Sequence, residues 1–317
     1  VKTDYNSDKS TYQKLKNRKI FPDSKKCKRP PKTKGPLQCF EGIGYASKEK
    51  IIFKGNIMHN KFFIFDNKLV WSGSANISDT GTGGYNANAV FLLRNEKLVK
   101  FYTKEFNQMY IKEIFHTEKS ELGTKKISGK NNSEIELYFS PSDKTTDKIL
   151  DLIDNSRLSI DVTIFFLTHK KISLALKRAR DRGVKVRVIL DATAATNGYS
   201  KHEYLRQNNI ALKVENWGGK MHMKAAMFDN KHIVLGSMNW TKAGEKYNDE
   251  NTIIIKNDAE EAKKFRVFFE ELWESIPNHW LNNDPMPESK DSINSCNDNI
   301  DNDFDKKIDN QDYGCRT

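Results

Sequence analysis

This chain repeats itself, and no other feature constrains its fold as strongly. Met58-His59-Asn60-Lys61-Phe62-Phe63-Ile64-Phe65-Asp66-Asn67-Lys68 falls without a gap on Met221-His222-Met223-Lys224-Ala225-Ala226-Met227-Phe228-Asp229-Asn230-Lys231. At the same offset, the stretch from Val70 to Asn76 falls on Ile233 to Asn239, so that Gly73-Ser74 matches Gly236-Ser237. Asn88 to Leu92 then falls on Asn251 to Ile255. Such self-similarity predicts two copies of one supersecondary unit that share a core. Each copy closes with apolar residues at helical spacing, near 97–115 and 258–275.

The second copy reads as complete. Residues 135–139 alternate as a strand, 145–156 read as a helix, and 158–166 form a second strand. A helix near 170–182 stops at Gly183, and 184–190 form a third strand. This order implies right-handed crossovers and a parallel-rich sheet. The first copy opens at Val1, which aligns with the end of that third strand. About 50 residues of fold, with any leader, are therefore expected upstream, and an open edge and bare apolar face are expected in their absence. The boundaries are a first repeat over 1–117, a polar linker over 118–134, a second repeat over 135–280 and an acidic tail over 281–317.

A His and a Lys two apart on a strand point to the same face. His59 with Lys61, and His222 with Lys224, each pair an imidazole with an ammonium. Gly73-Ser74 and Gly236-Ser237 turn tightly, and Asn76 and Asn239 aim amides inward. Two such half-sites facing each other suit a singly charged phosphodiester. Lysine neutralises and asparagine hydrogen-bonds its free oxygens. One histidine attacks phosphorus and the other protonates the leaving oxygen.

These residues resemble the phospholipase D superfamily, whose signature is H-x-K-x-x-x-x-D followed by a Gly-Ser and an Asn element. The resemblance covers nearly the whole chain except the tail. It implies an α/β fold of two pseudo-symmetric phospholipase D-like α/β/α repeats with mixed sheets, the first incomplete at its N-terminus. It implies one shared site, a covalent phosphohistidine and no catalytic metal. By the same resemblance, His59 is the nucleophile and His222 the acid and then the base. Asp66 and Asp229 complete the motifs, in catalysis or in structure, and Ser74 and Ser237 join the substrate-binding set. Glu250, eleven positions beyond Asn239, stands where the family often holds a catalytic imidazole through Nδ1. The matching position in the first copy is Ala87, so one histidine is expected to be less firmly held or to use another partner.

A net charge of +11 favours polyanionic partners. Lys25, Lys26, Lys28 and Arg29 lie in a basic stretch ahead of His59 and could track phosphates. Nucleic acid is thus placed slightly ahead of anionic phospholipid as substrate. Transfer to an alcohol, as in a phospholipid-specific transphosphatidylase, competes with hydrolysis. A polyanion-binding protein with a decayed site is disfavoured, because both His, both Lys and both Asn remain. No apolar run is long enough to span a bilayer, and both motifs in one chain predict a monomer.

The four cysteines fall into two local pairs, Cys27 with Cys39 and Cys296 with Cys315, which predicts secretion or a periplasmic location. Between the last pair, Asp301, Asp303, Asp305, Lys307, Asp309 and Asp312 take positions 1, 3, 5, 7, 9 and 12 of a calcium-type loop. Lys306 replaces the usual Gly and Asp312 the usual Glu. The tail resembles short Asp-rich, Cys-flanked calcium modules of bacterial extracellular proteins.

Overall fold

A computed structural model describes residues 56–316, except Thr124, Lys130, Phe304 and Lys306, together with the pairs 45–46 and 51–52. Tyr45–Ala46 (β1) pairs with Ile51–Ile52 (β2). The first repeat contributes Phe62–Phe65 (β3), Leu69–Gly73 (β4) and Val90–Leu93 (β5), an antiparallel sheet in that order. A helix over Glu96–Tyr110 follows, capped by Asn95, whose side chain accepts from the backbone N–H of Lys97 and Leu98.

The second repeat builds an eight-stranded sheet. Its strands are Lys126–Ser128 (β6), Glu134–Ser140 (β7), Ser159–Ile164 (β8), Lys185–Leu190 (β9), Ala211–Val214 (β10), Lys224–Phe228 (β11), His232–Gly236 (β12) and Glu250–Lys256 (β13). The order is β10-β9-β8-β11-β12-β13-β7-β6. Only β8, β9 and β10 run parallel, joined by crossovers that carry helices over Lys170–Asp181 and His202–Gln207. The other pairs are antiparallel, because β11-β12 is a tight hairpin and a single chain reversal suffices there. The sheet is therefore mixed rather than parallel-rich.

The hairpins explain part of the repeated sequence. Asp66 and Asn67 have φ of 50° and 55°, and Asp229 and Asn230 have 52° and 54°. Asp-Asn tolerates the left-handed region at the centre of these three-residue hairpin loops, where the Lys68 N–H donates to the Phe65 carbonyl at 2.9 Å and the Lys231 N–H to the Phe228 carbonyl at 3.1 Å. Gly236 fills a second special position. A Cβ there would lie 2.1 Å from the carbonyl oxygen of Asn251, and the same holds for Gly73 and Ala89.

Helices Thr145–Asn155 and Lys170–Asp181 cover one face of the large sheet over Val162, Val188, Ala226, Phe228 and Ile254. Ala259–Ser275 packs on the other face through Phe269 and Ala262. The small sheet joins β7 and β13 through Val70, Leu98, Tyr102, Leu137, Phe139 and Ile253. Among the described residues, nothing covers its outer face. Phe63, Phe65, Val90 and Leu92 are exposed, whereas their counterparts Ala226, Phe228, Thr252 and Ile254 are buried.

Residues 118–134 are more than a linker. They supply edge strand β6 and two buried ammonium groups. Lys119 pairs with Glu105 and, at 2.9 Å, with Asp249. Lys125 pairs with Asp143 at 2.7 Å. The polar composition reads as a solvated segment in sequence, but each lysine finds a buried carboxylate. Among the described residues, no helix is long and apolar enough to cross a membrane.

Candidate active site

The two motif strands are crossed over. The His59 backbone N–H donates to the Asp249 carbonyl at 2.9 Å, so the first motif leans on the second repeat. Reciprocally, the His222 N–H donates to the Ala87 carbonyl at 2.9 Å. Nδ1 of His59 meets Oε2 of Glu250 at 2.7 Å. Nδ1 of His222 meets Oδ1 of Asn88 at 3.0 Å. Each imidazole is thus held by an oxygen from the opposite repeat.

This pairing corrects the register read from the sequence. Gly73 faces Val90 across β4-β5, and Gly236 faces Thr252 across β12-β13. The first repeat is one residue longer between its Gly-Ser turn and its next strand. The counterpart of Glu250 is therefore Asn88, not Ala87. The serines confirm it: Ser237 Oγ donates to Glu250 at 2.6 Å and Ser74 Oγ to Asn88 at 2.9 Å. Both serines are fully buried. Their hydroxyls, expected in the substrate-binding set, donate to the groups that hold the histidines.

The Asn88 amide has a fixed sense. Its Nδ2 donates to the carbonyls of Gly81 at 3.0 Å and Asn86 at 3.3 Å. Its oxygen is left for Ser74 and His222. Both histidines therefore give an Nδ1 proton to an acceptor, and both leave Nε2 for chemistry. The difference is charge, a carboxylate behind His59 and a neutral amide behind His222.

The lysines are held alike. Lys61 Nζ donates to the His59 carbonyl at 2.8 Å, and Lys224 Nζ to the His222 carbonyl at 2.6 Å. Burial lowers the pKa of His59, the Lys61 and Lys224 charges lower it further, and Glu250 opposes them. Burial holds His222 well below its ordinary value, with Lys224, Lys61 and His59 adding to the effect. Lys224 is likewise pushed well down, by burial first and then by Lys61. Four basic groups in one enclosure disfavour one another's protons, so the pocket is short of negative charge. The Phe165 ring lines it, 5.0 Å from the His222 ring and 4.8 Å from Lys224 Nζ.

The model of the cardiolipin synthase phospholipase D-like domain matches residues 12–110 and 149–273, which carry both motifs and most of each repeat. The chain belongs to the phospholipase D superfamily. With relatives named phospholipase D and cardiolipin hydrolase, the chain is a phosphodiesterase of the hydrolase class. A phospholipase D of Rickettsia bellii is 33% identical over 152 residues, which is 48% of this chain and 75% of that protein. A mitochondrial cardiolipin hydrolase of Mus musculus is 31% identical over 135 residues, 43% of this chain and 61% of that protein. The solved phosphatidylserine synthase of Haemophilus influenzae shares the fold, with a TM-score of 0.52 at 15% identity over 68% of this chain and 61% of that one.

Other expected residues fall in different places. The Asn239 side-chain oxygen accepts from the Phe166 N–H at 3.4 Å, and Asn76 is half-buried in the matching turn. Asp66 and Asp229 are not brought to the histidines. They sit in the far hairpin turns, seven residues on, or about 20 Å at a strand's rise of about 3.3 Å per residue. Asp229 there accepts from the backbone N–H of Arg157, Leu158 and Ser159. The motif aspartate is a hairpin and sheet-end residue in this chain. Lys25, Lys26, Lys28 and Arg29, and the Cys27–Cys39 pairing, lie outside the described residues.

In the tail, Cys296 and Cys315 form a disulfide. The carboxylates of Asp303, Asp305 and Asp312 converge, and those of Glu288, Asp301 and Asp303 form an adjoining group. An all-oxygen set of this kind fits a hard cation such as calcium. Asp309 departs from its expected place and instead accepts from the N–H of Asp298 at 3.0 Å. The Lys307 ammonium meets Asp305 at 2.8 Å. Glu288, from outside the twelve-residue spacing, was not foreseen. Nor were Asn88 as a holder of His222 and Phe165 as a pocket wall. No local motif marks these three, which become neighbours of the site only through tertiary contacts.

Proposed function

We propose that this chain hydrolyses a phosphodiester through a covalent phosphohistidine on His59. The cross-repeat contact from Glu250 to His59 carries the reading. A carboxylate that takes the Nδ1 proton leaves the Nε2 lone pair free to attack phosphorus and stabilises the positive ring that results. As the new N–P bond forms, the P–O bond to the leaving group breaks. His222, protonated at Nε2, gives that oxygen its proton. Water then attacks the phosphohistidine while His222 takes a proton back, which releases His59 and a phosphomonoester. Lys61 and Lys224, with Asn76 and Asn239, bind the non-bridging oxygens. No step calls for a metal.

The bound anion supplies the charge the pocket lacks. It raises the pKa of His222 toward the range where the ring carries its proton. A neutral amide behind His222 suits an acid that must let go, whereas the carboxylate behind His59 suits a nucleophile that must become cationic.

For substrate, the surplus of positive charge supports a polyanion, with nucleic acid ahead. Phospholipid is the second reading, favoured by relatives that are named phospholipase D and cardiolipin hydrolase. The Cys296–Cys315 disulfide supports an oxidising, extracytoplasmic location, and both motifs in one chain support a monomer. The acidic tail is proposed to hold structural calcium. Incubating the protein in EDTA with plasmid DNA and, separately, with phosphatidylcholine or cardiolipin vesicles tests the reading. Cleavage of DNA is expected. Cleavage of lipid alone would move the substrate to the second reading, and cleavage of neither would remove the proposal.

A further inference from the structure

The two histidine strands are braced from opposite sides. On the His59 side the brace is internal. The Asp249 backbone grips the first motif at both Ile57 and His59. Its carboxylate is fixed by Lys119 at 2.9 Å and by the His116 backbone N–H at 2.8 Å.

On the His222 side the brace comes from the tail. Ile293 lies in a parallel bridge with Trp217. Its N–H donates to the Asn216 carbonyl at 2.7 Å, and its carbonyl accepts from Gly218 at 2.8 Å. The Asn302 carbonyl accepts from Lys220 Nζ and, at 3.1 Å, from Thr193 Oγ1. The Tyr85 hydroxyl donates to the Asp298 carboxylate and lies 3.4 Å from Asn302 Oδ1. Asn302 is itself buried and fixed, donating to Glu288 at 2.7 Å and to the Ser295 carbonyl at 3.0 Å.

The tail thus holds two stretches, 85–88 and 216–222, that come from different repeats and lie against each other. The Ala87 N–H donates to the Lys220 carbonyl at 2.8 Å, and the Lys220 N–H to Asn86 Oδ1 at 3.0 Å. Gly219 permits the approach, since a Cβ there would lie 2.1 Å from the Tyr85 carbonyl oxygen. These are the stretches that deliver Asn88 and His222 to each other. Their contact is a single hydrogen bond to a neutral amide, too weak to align the ring alone.

We propose that the C-terminal tail, closed by Cys296–Cys315, is a positioning module that sets the Asn88–His222 half of the site. This rests on His222 acting as the acid. Tyr85 and Asn302 are its main positioning residues, and they act through backbone segments rather than on the substrate.

Two full-length variants test it: Tyr85→Phe, and Cys296→Ser with Cys315→Ser. Each is assayed on a diester with an alkyl leaving group and on bis(p-nitrophenyl) phosphate, whose leaving group needs little protonation. Misplacing the acid should lower kcat/KM about tenfold on the alkyl diester and leave the p-nitrophenyl value within about twofold. An equal fall on both substrates would mean general loosening and would overturn the proposal. Amide hydrogen exchange, which needs no activity, gives a second measure. Exchange at Ala87 and His222 should quicken about tenfold in both variants, with Val162 and Val188 unchanged. Unaltered exchange at Ala87 and His222 would overturn the brace. If the wild type turns over neither diester, the function fails while exchange still judges the brace.

Discussion

Glu250 and His59 belong to opposite repeats, yet the Glu250 carboxylate takes the Nδ1 proton of His59 at 2.7 Å. The matching position behind His222 is an amide, Asn88, at 3.0 Å. A two-fold scaffold has been made chemically unequal at one pair of positions. On the proposed mechanism, that inequality suits His59 to the nucleophile and His222 to the acid.

The pH profile should show it. On the proposed mechanism the productive free enzyme has His59 neutral and His222 protonated. Burial and the neighbouring lysines hold both rings below the ordinary value. His222 is lowered further than His59, so the productive pair is a minor form of the free enzyme, and the rate should rise and then fall across the two histidine titrations. The maximum of kcat/KM is therefore expected below pH 6.5, the ordinary histidine value. In Asn88→Asp a carboxylate meets His222 and raises its pKa. The profile should then move to higher pH. An unmoved profile would mean that His222 is not the acid.

Asp229→Asn should act on stability and leave the chemistry alone. It weakens charge-assisted bonds to Arg157, Leu158 and Ser159, each worth about 1.5–3 kcal/mol at most. A melting temperature lower by a few degrees is expected, with kcat within about twofold of wild type. A large loss of kcat in a folded variant would return the aspartate to the active site.

Much of this was legible in the sequence. The repeat predicted two α/β units and both His–Lys pairs, because strand periodicity and a shared core leave a period-two signature. Helix ends were placed less well. The first closing helix stops at Tyr110 rather than continuing to 115, where Glu113 and His116 turn to positive φ. Asn88 was misplaced by one residue, since an extra residue in a loop leaves no trace when short apolar strands align either way. Lys119 reads as solvated because the carboxylates that bury it lie on a helix and, far along the chain, just ahead of a strand. Asp66 and Asp229 were open between catalysis and structure, and the Asp-Asn hairpin turn accounts for them.

Calcium should stabilise the tail without serving turnover. Calcium at about 100 times its Kd adds about 2.7 kcal/mol to whatever unit binds it. A higher melting temperature and slower proteolysis near Asp301–Asp312 are expected on adding calcium, with unchanged turnover in EDTA. No protection at millimolar calcium would remove the ion from the tail. Lost turnover in EDTA with an intact core would refute the metal-free chemistry.

The central claim is a phosphohistidine on His59, and intact-protein mass spectrometry tests it most directly. His222→Asn lacks the base for the second step, but it can still expel p-nitrophenolate, which needs no acid. Mixed with bis(p-nitrophenyl) phosphate in EDTA, this variant should accumulate a p-nitrophenyl phosphoryl adduct that peptide mapping places on His59. An adduct on His222 in the His59→Asn variant, and none on His59 in His222→Asn, would contradict the account.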